Sequence, residues 1–254
     1  CYATNFNNRW GNILLRYIVL GLGGGLEYQG RVTSDFSPSN ISSLIHWYKH
    51  AAGLEDAGGA FPDDDEKITT WRDSKGSNDG TTNGEDILWD DTNKALVADD
   101  SGSAGFTLES ELTFARAFSL YFRVQFLQAP SATDYFTQDA SNANNMFIRI
   151  QAANLFRAKI AGTTRTFNAA TTADAENYVT GQYYNIGIER DSSNNLRVYR
   201  DGVESTTGAI TDTGDVIFDL MRCGKEDLYV TTLVFNDALS SGDRAAIETY
   251  LSNI

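Results

Sequence analysis

The chain has 254 residues, 41% hydrophobic and 12% aromatic, which is enough apolar side chain for a sizeable core and too much for wholesale disorder. Its 34 acidic and 20 basic side chains give a formal net charge of −14, which repels phosphate backbones and anionic membrane surfaces, and no cluster of Lys and Arg stands out against it. Nucleic acid is therefore not an expected partner, and two cysteines in so long a chain exclude a disulfide framework.

The first segment of note is Ile13-Leu14-Leu15-Arg16-Tyr17-Ile18-Val19-Leu20, apolar on both faces, with the glycine-rich hinge Gly21-Leu22-Gly23-Gly24-Gly25 behind it. The run is far shorter than the ~20 residues of a membrane helix, and Arg16 interrupts it, so no membrane span is expected. A lone strand leaves its backbone unpaired. Ile13, Leu15, Tyr17 and Val19 are therefore expected to form an assembly arm that adds to a neighbouring subunit, or else an extra edge strand on the chain's own domain. Residues 1–40 are assigned to this arm and hinge, and residues 41–254 to one domain.

Leu44 to Lys49 reads as an extended apolar and aromatic segment. His46 and His50 stand four apart, a spacing that converges on one metal only in a helix, so a structural role is expected for them. Asp63, Asp64, Asp65 and Glu66 form an acidic loop expected to be solvated, with cation binding as the sharper alternative. Asp73, Asn78 and Asp79 make an oxygen-rich loop that suits calcium or, preferably, a self-hydrogen-bonded Asx turn. No metal site and no cofactor is expected.

Strand patterns then follow one another without helices between them. Leu120, Phe122, Val124 and Phe126 alternate with Tyr121, Arg123 and Gln125, and Met146, Ile148 and Ile150 alternate with Arg149 and Gln151. Phe156 to Ile160, Thr164 to Asn168, Val216 to Met221 and Leu228 to Phe235 are further candidates, separated by turn-rich intervals. Tyr184, Ile186 and Ile188 give a strand with one buried face. It turns at Asp191 to Asn195, returns as Leu196 to Arg200, and closes on Asp201-Gly202, a dipeptide that favours positive φ. Such a series must be antiparallel and stacked as two sheets. A final helix is expected from Ser240 or Ser241, with Ala246, Ile247, Tyr250 and Leu251 turned inward.

Three segments in this order resemble concanavalin A-like, laminin-G-like jelly rolls. They are Leu44–Lys49 with Ile68–Gly80, the hairpin LRVYRDGVE, and Leu233–Ser240 leading into Asp243–Leu251. The resemblance implies an all-β fold, a two-sheet antiparallel jelly-roll sandwich with a short C-terminal helix and an N-terminal β arm. Phage virion proteins often carry such modules behind short anchoring segments. This layout is similar, which implies a non-catalytic structural or accessory protein of a phage capsid or tail, placed on the virion surface. Its partners would be identical subunits or other virion proteins. The alternative is a soluble or secreted, extracellular lectin-like module that binds host surface glycans.

Two consequences can be read on particular residues. Glucanases of this superfamily place Glu-x-Asp-x-x-Glu on one strand. Glu189-Arg190-Asp191-Ser192-Ser193-Asn194 lacks the last acid and runs into the hairpin turn, where its side chains are expected to spread into solvent. No catalytic residue is therefore expected. Of Trp10, Trp47, Trp71 and Trp89, Trp47 and Trp71 are expected in the core. Trp89 is expected to be partly exposed and is the candidate glycan contact.

Overall fold

The computed structural model describes residues 36–254 apart from 99–103, 133, 143–144, 172, 175 and 224–226. The arm residues Ile13, Leu15, Tyr17 and Val19 lie outside the described residues. The strands are β1 Leu44–Tyr48, β2 Leu54–Glu55, β3 Thr70–Trp71, β4 Gly80–Thr82, β5 Ile87–Asp90 and β6 Ala95–Ala98. Next come β7 Gly105–Phe114, β8 Phe118–Gln125, β9 Tyr135–Gln138, β10 Phe147–Ala152, β11 Leu155–Ile160 and β12 Thr163–Asn168. The series closes with β13 Tyr183–Arg190, β14 Asn195–Arg200, β15 Val203–Glu204, β16 Ile210–Thr211, β17 Val216–Arg222, β18 Leu228–Phe235 and the helix α1 Ser241–Leu251.

They form two nine-stranded sheets with antiparallel pairing throughout, the sandwich expected from the strand series. Sheet A runs β15-β14-β13-β8-β18-β6-β5, with β1 beside β18 and β16 beside β14. Sheet B runs β12-β11-β10-β9-β17-β7-β4-β3-β2. Between them lies an aromatic-rich core in which Trp71 meets Phe106 and Tyr48, and Phe136 stacks between Phe122 and Phe156. Alternation puts these rings inward, because side chains two apart share a face.

Sheet A differs from the expectation of a single buried face. Every residue of β18 is buried, and so is the outward side of β13 at Asn185, Gly187 and Glu189. The cause is α1, which packs its Ile247 and Leu251 onto Leu44, Trp47, Tyr121, Leu233 and Phe235. Phe36, ahead of the boundary drawn at residue 40, also packs here. Ser240 caps the helix as expected, its hydroxyl accepting from the Asp243 amide. Gly187 lets this face close, since a Cβ there would stand 2.6 Å from the Tyr121 ring.

The hairpin β13–β14 forms as read, with Ile186 opposite Arg200 and Arg190 opposite Leu196. Asp191 Oδ1 accepts from the Ser193 and Asn195 amides, and Asn194 takes the left-handed φ of 64°. Asp201 and Gly202 follow with φ of 51° and 79°, the pairing of positive angles that a two-residue hairpin turn needs. The side chains before the first turn do not spread into solvent, and that expectation is corrected. Arg190 lies on the core side at 0% exposure, donating to the carbonyls of Phe114, Arg116 and Gly214 and so stitching the end of the sandwich.

Candidate functional site

The oxygen-rich loop satisfies itself. Asp73 Oδ1 accepts from the Trp47 and Lys75 amides, and Oδ2 from the Asn78 amide and from His46 Nδ1 at 2.6 Å. Burial would raise the Asp73 pKa, but His46 and the surrounding amides hold it well below the carboxylate range. Asp79 accepts from the Asp73 amide and from Arg72. The carboxylates are thus spent on tying β1 to the loop between β3 and β4, the Asx-turn arrangement, and His46 is structural.

Trp89 corrects the sequence reading. It is 1% exposed, because α-carbon neighbours on β5 and β6 turn it to the core side with Leu96. Its indole Nε1 donates to Asp91 Oδ1 at 3.3 Å. The aromatic that emerges there is Phe61, 48% exposed and edge-on to Trp89 at 5.3 Å between ring centres. Trp47 and Trp71 are in the core as expected.

Under α1 lies a buried ionic cluster. Arg244 donates through Nη2 and Nε to the two oxygens of Glu189, at 2.7 and 3.1 Å, and Tyr121 donates its hydroxyl to Glu189 Oε1. The guanidinium also stands 4.1 Å over the Tyr199 ring. Burial pulls the Arg244 pKa down, and the Glu189 carboxylate overrides this and raises it. Glu189 is therefore committed to the helix. One turn on, both carboxyl oxygens of Glu248 are buried without a hydrogen bond of good geometry. Burial pushes its pKa up to about 7; Asp201 adds to the rise, while the nearby Asn185 amide, the Gly202 N–H and Arg244 oppose it. Asp201, Gly202, Val203, Ser241 and Ala245 frame an open crevice of about 400 Å³ at this point.

The outer face of sheet B carries a different assembly, and no described element is layered on it. Directly opposed residues of an antiparallel pair project to one side. The register therefore gathers Arg149 with Arg157, Phe147 with Lys159 and, across β9, Tyr135 with Arg149. The Arg149 guanidinium lies 4.9 Å from the Tyr135 ring centre and 4.5 Å from that of Phe147, and the two rings meet edge to face. Arg149 donates to the Tyr135 hydroxyl, to the Ala132 carbonyl at 2.9 Å and to Gln151 Oε1 at 2.6 Å. Arg222 of β17 also stands near the Tyr135 ring, 5.5 Å from its centre. The absence of a basic cluster in the linear sequence is thus corrected in space: residues 135 to 222 converge because their strands are neighbours. The signal was present in the pattern Phe147-Ile148-Arg149-Ile150 and Phe156-Arg157-Ala158-Lys159, which a tight hairpin folds back on itself.

The chain belongs to the concanavalin A-like lectin/glucanase superfamily, whose laminin-G-type family matches residues 100–227. Among solved structures it is similar to the Trypanosoma rangeli sialidase at 13% identity, with a TM-score of 0.54 over 84% of this chain and 33% of that one. It is likewise similar to a tryptophan-to-alanine mutant of HCR D/C VPI 5995 at 12% identity, with a TM-score of 0.52 over 85% of this chain and 53% of the other. Domain 4 of AbnA, an extracellular arabinanase from Geobacillus stearothermophilus, matches with a TM-score of 0.48 at 16% identity, over 81% of this chain and 98% of that domain. These likenesses are of fold, and the chain spans about a third of the sialidase's length. A comparison with curated proteins returns no match. Among the described residues no helix is long and apolar enough to cross a membrane.

Proposed function

We propose that this chain is a non-catalytic carbohydrate-binding module whose binding surface is the outer face of sheet B. The observation that carries this reading is the grouping of Tyr135, Arg149 and Gln151, backed by the buried Phe147, on a face with no described layer over it. Sugars are held by aromatic faces beside fixed polar groups, and a sheet supplies both on a rigid base. Sialidase neighbours, one holding sialic acid, belong to sugar chemistry and add background support. The absence of catalysis is supported by Glu189, which is 4% exposed and bonded to Arg244 and Tyr121 rather than poised toward solvent.

Saturable binding on a glycan array is expected for the intact chain and is lost in Tyr135→Ala, which removes the ring and hydroxyl that seat Arg149. An array without hits would sink the reading, as would hydrolysis of a β-glucan that disappears in Glu189→Gln. For the setting we propose the surface of a virion, with an extracellular location as the alternative. The chain would assemble there with identical subunits or other virion proteins through Ile13, Leu15, Tyr17 and Val19. Removal of residues 1–30 is expected to abolish assembly, followed by sedimentation, while the sandwich melts as before; unchanged assembly refutes the arm.

A further inference from the structure

Arg149 and Arg157 stand directly opposite one another on neighbouring strands. Like charges so placed destabilise a sheet unless something lies between them. In a chain with an acidic excess of 14, a carboxylate partner for each would be easy to supply. Yet Arg149, Arg157 and Lys159 form no ion pair with any described residue, whereas Arg165, Arg200 and Arg244 are paired and Arg197 has both Asp191 and Glu204. The Arg157 side chain makes no hydrogen bond to the described residues, and its Nε is buried without an acceptor. Arg149, whose Nε is buried in the same way, is fixed through its terminal nitrogens by Tyr135, Gln151 and the Ala132 carbonyl and rests against the Tyr135 and Phe147 rings. One guanidinium is thus preorganised and the other beside it is unspent.

We propose that this pair reads a carboxylate on an acidic saccharide, the anion lying between the Arg149 and Arg157 guanidiniums, with Lys159 beside them. This rests on the glycan-binding reading of the same face. Arg149 keeps an Nη2 proton beyond the bond to Gln151, the Arg157 terminal nitrogens are free of described partners, and opposed residues on a sheet lie about 5 Å apart, near enough to share the oxygens of one carboxylate. From β17 to β11 the face spans three strand spacings, about 15 Å, which suits a short oligosaccharide. A nucleic acid fits less well, because its closely spaced phosphates would meet the field of the acidic molecule around this small basic island.

The test is a glycan array of matched carboxylated, carboxyl-reduced and sulfated members, read beside a single-stranded oligonucleotide. Titration of the strongest hit into the intact chain and into Arg157→Gln then follows. Hits confined to carboxylated glycans are expected, with affinity lowered about tenfold or more in Arg157→Gln and weakened by salt. The same variant, freed of the like-charge pair and losing no hydrogen bond, is expected to melt about 1–3 °C higher without ligand. Binding of the neutral counterparts, or only of sulfated ones, overturns the carboxylate while leaving a glycan-binding face. Tight binding of the oligonucleotide alone, or no binding at all, overturns both. Unchanged affinity in Arg157→Gln overturns the assignment to this pair.

Discussion

Arg244→Ala is expected to cost about 3–5 kcal/mol of folding stability, the range for removing one partner of a buried ion pair. The loss comes less from missing attraction than from what remains. Glu189, with its side chain 5% exposed, would keep only the Tyr121 hydroxyl against its charge. The contact of the guanidinium with Tyr199 goes as well. Urea unfolding at neutral pH, followed by tryptophan fluorescence, measures the change. The pair Glu189→Gln with Arg244→Met should recover much of it, because replacing both charges leaves none stranded. A loss below about 1 kcal/mol for Arg244→Ala would mean that the helix is held by Ile247 and Leu251 alone.

Glu248→Gln is expected to do the opposite. The Glu248 pKa is about 7 in the folded chain and about 4.3 when unfolded, so between these values the folded state holds a proton that the unfolded state has lost. Its contribution is therefore fullest below about pH 4.3, declines as pH rises to about 7, and is gone above that, a swing on the order of 3 kcal/mol. Asp201, whose pKa burial also raises, acts with the same sign and leaves a residual slope. Arg244 from the helix, with Asn185 and the Gly202 amide from the sheet, completes the surroundings. Glutamine keeps the shape without the charge, so the variant should match the parent near pH 4.5 and exceed it at pH 8. Thermal melts at those two pH values decide it; a variant no more stable at pH 8 contradicts the assignment.

Much of the sandwich can be read directly from the chain, because half-buried strands carry their period openly. Leu120, Phe122 and Val124 announce β8, and Asp201-Gly202 announces the turn from β14 to β15. The short strands β2 to β6 are obscure for the opposite reason: two to four residues hold too little period to separate from loop. Glu189 misleads because its burial depends on a helix 55 residues downstream, whose Arg244 reverses the meaning of an acid next to a turn. Trp89 misleads because flanking aspartates suggest solvent, while the alternation of β5 alone decides where its ring points. The basic face is hidden because pairing, not proximity in sequence, brings Arg149 to Arg157 and Tyr135 to Arg222.

β18 is the keystone of sheet A, lying between β8 on one side and β6 with β1 on the other. Until residues 228–235 leave the ribosome, that sheet exists as separate pieces, the β8 side, the β5–β6 hairpin and β1, each with a greasy rim and an unpaired edge. Closure then joins segments more than 100 positions apart, a contact pattern associated with slow barriers and a need for chaperone shelter during synthesis. A chain halted before this strand should have no intermediate refuge, and proteases should clear it rather than leave a half-built sandwich.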